Sequence, residues 1–171
     1  MPKLRCRTDQ LGKLAQRYRY ESDEVDLSAL KANIDTRGYL TKAELRKIAY
    51  WKSPRSAGYM EKNSDDYIQA ISRIALTARE ERIRIEVLTL LDGVHWPTAS
   101  VVLHFFHKDQ YPIVDFRALW SVSMDVPDPY RFGVWWEYVE YCRMVATRSH
   151  LTMRQLDQAL WQYSKENQKQ V

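Results

Sequence analysis

Asp115 is the lone acid of the apolar stretch YPIVDFRALW. A carboxylate flanked by Ile113, Val114 and Phe116 would sit in dry surroundings, which amplify its field and raise its pKa unless hydrogen bonds or a helix N-terminus offset the desolvation. Capping the helix that starts at FRALWSV is one use for such an acid. Arg117, two residues on, is placed for a phosphate or for an ion pair with that acid. A second stretch with chemical potential, LDGVHWPTAS, lies upstream. Gly93 supplies the positive φ or close backbone approach of a chain reversal, and Pro97 suits the first turn of the next helix. Backbone N–H groups at Thr98, Ala99 and Ser100 would then open a helix whose partial positive charge favours an anion such as a DNA phosphate. The same residues also make an αα-hairpin that merely turns a corner.

Charge gives that anion a context. The net charge is +4, and between Arg37 and Lys62 seven bases (Arg37, Lys42, Arg46, Lys47, Lys52, Arg55, Lys62) face two acids, Glu44 and Glu61. A locally basic face suits a polyanion, since lysine and arginine release condensed counterions on binding, and it also suits a solvated helix. Cys6 and Cys142 have no ligand spacing, and His95, His104 and His107 lack companions for a metal, so no metal centre is expected. No segment approaches the roughly 18 apolar residues of a membrane span, nor does the N-terminus read as a signal peptide. The expectation is a soluble protein of a reducing cytoplasm, without membrane partners.

The elements that must position these residues read as helices. With 45% apolar and 28% charged residues, the chain predicts one compact domain, residues 1–171. Thr41-x-x-Glu44 and Thr152-x-x-Gln155 are capping boxes, and Ser64 caps a third helix. Core stripes are expected at Leu45, Ile48 and Ala49; at Tyr67, Ile71, Ile74 and Ala75; at Ile83, Val87 and Leu90; and at Ala99, Val102, Leu103 and Phe106. Pro129 should start a central helix packed on several sides through Phe132, Trp135, Trp136, Val139, Cys142 and Ala146. The last helix should carry Met153, Leu156, Leu160 and Tyr163 before a polar tail at about 164–171. Short Gly, Pro and Asp breaks separate these segments, and YPIV is a poor strand because of Pro112. The fold class is all-α, a compact bundle of about eight helices.

Leu91, Gly93, Val94, Thr98 and Ala99, then Pro112 and Val114-Asp115, together resemble the helix-hairpin-helix and following segment of the DNA glycosylase superfamily that includes endonuclease III and the alkyladenine glycosylases. Asp115 follows Gly93 by 22 positions, the separation of the endonuclease III branch, and the likeness covers roughly residues 85–120. The resemblance implies a hairpin over about 83–107 that grips DNA, with Gly93, His95 and Thr98 at the backbone and Lys52, Arg55 and Arg117 on phosphates. It implies that Asp115 is the catalytic carboxylate, stabilising an oxocarbenium-like sugar or orienting water as a base is excised. Trp51 or Tyr50 would stack on the extruded base. The implied partner is double-stranded DNA carrying a damaged or modified base, bound by a monomer at the nucleoid. Pro97 stands where bifunctional relatives carry a nucleophilic lysine, which implies a monofunctional hydrolase. His95 replaces the hairpin's second glycine, and the four-cysteine iron–sulfur motif is absent. No cofactor is implied beyond a monovalent cation at the hairpin. The rival reading is a non-catalytic DNA-binding module that retains the fold.

Overall fold

In the computed structural model, which describes residues 1–19 and 24–169, the chain runs through ten α-helices: α1 (Leu11–Arg17), α2 (Glu24–Arg37), α3 (Lys42–Lys52), α4 (Pro54–Ala57), α5 (Asp65–Thr77), α6 (Glu81–Glu86), α7 (Trp96–Phe106), α8 (Phe116–Ser121), α9 (Phe132–Arg148) and α10 (Met153–Asn167). Among the described residues there is no strand, and no helix is long and apolar enough to cross a membrane. The chain divides into two compact units, residues 21–109 and residues 1–20 with 110–171.

In the first of these units α3, α5 and α7 pack on one another, with α2 against α7. Both capping signals form. Thr41 N donates to Glu44 Oε2 at 2.8 Å, and Ser64 Oγ accepts from Tyr67 N at 3.2 Å. Leu45, Ile48 and Ala49 are buried as expected, and α7 is buried nearly all round through Thr98 to Leu103 and Phe106. Two stripes are rotated from their expected phase. On α5 the buried face is Ile68, Ile71, Ser72 and Ala75, while Tyr67 and Ile74 are 41% and 45% exposed. Ser72 can enter the core because its hydroxyl donates to Ile68 O at 2.7 Å and accepts from Leu40 N at 2.9 Å, leaving neither polar group unpaired. Beyond α6 the chain tightens into a 3-10 turn over Val87–Leu90. Three residues per turn then bury Ile85, Leu88 and Leu91 in place of Ile83 and Leu90, which are exposed.

The second unit is built on α10, which packs against α1, α8 and α9. Its capping box forms, Thr152 N donating to Gln155 Oε1 at 2.9 Å. The segment expected as a polar tail continues this helix to Asn167, since Ser164 is buried and Glu166 receives two bonds from Arg17 at 3.1 and 2.8 Å. Gln170 and Val171 of that tail lie outside the described residues. The long helix α9 is capped by Arg131, with Pro129 two residues earlier. It is one-sided rather than packed all round: Trp135, Tyr138, Val139, Cys142, Val145 and Ala146 are buried, whereas Glu137, Glu140 and Met144 face solvent. Both cysteines are free and buried. Lys3 N and Arg5 N donate to Val122 O and Ser121 O at 2.8 and 2.9 Å, tying the N-terminal segment to the end of α8.

Candidate functional site

The reversal between the 3-10 turn and α7 is closed by Val94 N donating to Leu91 O at 3.0 Å. Gly93 has φ of +78°, and a Cβ built there would lie 2.7 Å from Met60 N and 2.9 Å from Ser56 O. Both reasons for a glycine therefore apply at once: the left-handed backbone and a close approach, here to the chain's own backbone in α4 and the turn after it. Asn63 locks the same junction. Its amide donates to Asp92 O at 3.0 Å and to Met60 O at 2.9 Å, and its carbonyl accepts from Asp92 N at 3.0 Å. Nothing in the local sequence of Asn63 signals this role, because both of its bonds to Asp92 reach a segment 29 residues away.

The helix that follows has Pro97 in its first turn, as expected. His95 is its N-cap without a side-chain cap bond, Trp96 is its first residue, and Pro97 its second. Ala99 N donates to His95 O at 2.8 Å, so this N–H serves the helix itself. Thr98 is only 2% exposed and belongs to the core, while His95 is exposed. The carbonyls of Leu91 and Asp92 already accept hydrogen bonds, which a monovalent cation would have to share. Of the residues proposed from AYWKSPR, Arg55 and Tyr50 are exposed and Lys52 is half-buried. Trp51 is 8% exposed and meets the Phe105 ring edge-to-face at 5.8 Å, which makes it part of the core between α3 and α7 and leaves Tyr50 as the accessible ring.

In the other unit, Asp115 is half-buried and caps α8, its Oδ1 accepting from Ala118 N at 2.8 Å. The extended run before it is fixed by side chains of α9 and α10. Tyr138 Oη donates to Ile113 O at 3.0 Å, and Asp157 Oδ1 accepts from Ile113 N at 3.2 Å. Arg154 ion-pairs with Asp157, and Arg143 Nε donates to Gln110 O at 2.9 Å while its guanidinium lies over Tyr111 at 4.8 Å. Tyr111 in turn stacks on Trp135 at 5.7 Å. Asp115 thus follows a segment whose backbone is held at Gln110 and Ile113 by side chains of α9 and α10, and its own carboxylate caps α8.

Two phenols register this setting. Burial, with the Asp115 charge adding to it, pushes Tyr130 above the ordinary tyrosine value, and burial drives Tyr138 well above it. Both stay protonated at neutral pH and keep their O–H for donation. In the sequence Tyr138 is one of several aromatics at helical spacing and Tyr130 carries no signal, whereas Asp157 stands out as an acid on the apolar face of α10 beside Leu156 and Leu160. Arg117 is half-buried, its guanidinium 5.0 Å from the Phe116 ring and 5.5 Å from that of Trp161. Among the described residues no three His, Cys, Asp or Glu side chains converge as a metal site. Compared with known protein families, curated proteins and solved structures, the chain matches none.

Proposed function

We propose that this protein is a helix-hairpin-helix DNA base-excision glycosylase-like enzyme, acting on duplex DNA that carries a damaged or modified base. The observation that carries the reading is the orientation of Asp115: a half-buried carboxylate, aligned by Ala118 N and delivered by a backbone held at Ile113. A carboxylate fixed beside a sugar stabilises the positive charge that develops at C1′ as the N-glycosidic bond breaks. The base departs with the bonding electron pair and is protonated from solvent. Water then adds to C1′, and its proton passes to the carboxylate, leaving an abasic site. Pro97 offers no amine, so the reaction stops at hydrolysis. The turn at Gly93 and the start of α7 would grip phosphates, helped by His95, Lys52 and Arg55.

The test is incubation with duplexes bearing alkylated, oxidised, deaminated or hypermodified bases, followed by alkali. Strand cleavage that appears with native protein and vanishes with Asp115→Asn supports the reading, whereas cleavage that persists in the variant contradicts it.

One observation favours a non-catalytic DNA-binding module. Gly93 spends its lack of a side chain on the protein's own Ser56–Met60 backbone, and an exposed histidine stands where a second glycine would leave the backbone bare. Phosphate contact then passes through the exposed His95 side chain instead of bare backbone. Salt-sensitive duplex binding with no abasic product on any duplex selects this reading.

A further inference from the structure

We propose that the surface made by α8, α10 and the residue after α1 binds an unpaired nucleic-acid strand, with Phe116 stacking on a base and Arg117 and Lys165 on its phosphates. The inference rests on the nucleic-acid reading above but uses a different surface from the Gly93 turn. Phe116 directly follows Asp115 and is 54% exposed, while the buried residues of α8 are Ala118, Leu119 and Ser121. The ring therefore lies on the open side of the helix that Asp115 caps.

Cations and rings alternate around it. Arg117 lies 5.0 Å from the Phe116 ring and 5.5 Å from Trp161, Lys165 Nζ lies 5.0 Å from Trp161, and Tyr18 meets Trp161 edge-on at 5.3 Å. Arg154 lies 5.3 Å from Tyr18 but is committed to Asp157. Arg117 and Lys165 differ from it, for neither has an ion-pair partner among the described residues; Arg117 is held by ring faces, and Lys165 by the Trp161 ring and a bond to Arg19 O at 3.4 Å. Uncompensated cations interleaved with aromatic faces match a single strand: its backbone releases counterions to the charges, and every base offers a π-face to a ring. A protein partner would meet this surface with carboxylates and would gain nothing from the stacking geometry.

The test is fluorescence anisotropy of the full chain with a labelled oligothymidine and with a blunt duplex of the same length, across a salt series. Phe116→Ala should weaken single-strand binding about tenfold, and Phe116→Trp should restore it. The double variant Arg117→Ala/Lys165→Ala should lower the slope of log affinity against log salt by about 1.4 on the single strand. Equal single-strand affinity for native protein and Phe116→Ala, or no single-strand binding by native protein, overturns the inference. Duplex binding in that same experiment would leave the reading of the Gly93 turn standing. Single-strand binding with these responses and no duplex binding would support the inference while removing the hairpin's part.

Discussion

The Gly93 turn and the Gln110–Asp115 run are both irregular segments leading into helices, yet they are held in opposite ways. The turn is held by backbone against backbone: Gly93 lies against Ser56 and Met60, and Asn63 supplies a side-chain clamp. The run is held by side chains reaching in from helices: Tyr138, Asp157 and Arg143 take its carbonyls and one amide. The first arrangement tolerates no added atom. The second depends on its distant partners.

Substitution separates these modes. Gly93→Ala combines a positive φ with a Cβ 2.7 Å from a backbone nitrogen and should cost about 3 kcal/mol of stability; an unchanged urea midpoint would contradict the close approach. Asp157→Ala strips Ile113 N and Arg154 of an ionised acceptor and should cost about 2 kcal/mol, with slower base excision because Asp115 loses its support. A loss of stability with full activity would show that the clamp serves folding alone. Asn63→Ala should cost about 1 kcal/mol and weaken duplex binding more than single-strand binding.

The smallest effect is one of pH. Burial, reinforced by the Arg84 charge, holds the His107 imidazole below its ordinary value of 6.5; Arg84 itself is buried with Asp109 at 2.7 Å. The unfolded chain therefore takes up the proton first, so stability present above about pH 6.5 falls as pH drops toward the folded-state value. The urea midpoint should decline from pH 7.5 to pH 5.5, and His107→Gln should flatten that decline. An identical pH dependence in the variant would remove His107 from the account.

Legibility in the sequence followed the range of the forces. Capping boxes at Thr41 and Thr152, the Ser64 cap and the Gly93 reversal depend on neighbours within a few residues, and they were readable. So was the Asp115 cap, whose partner is three residues away. Helix phase was lost where a local rule changed: the 3-10 turn after α6 moved burial from Ile83 and Leu90 to Ile85 and Leu88, and a doubly bonded Ser72 turned α5. Trp51, expected to stack on an extruded base, is instead a core ring, because its burial is decided by Phe105 on another helix. The clamps on Ile113 come from residues 25 and 44 positions away, beyond any motif.

The central claim is that Asp115 breaks an N-glycosidic bond rather than only starting α8. Asp115→Asn keeps an oxygen for the cap at Ala118 N but removes the charge, so single-turnover excision on a susceptible duplex should fall at least about a hundredfold while the urea midpoint stays nearly unchanged. Excision at the native rate by a fully folded Asp115→Asn protein would contradict it.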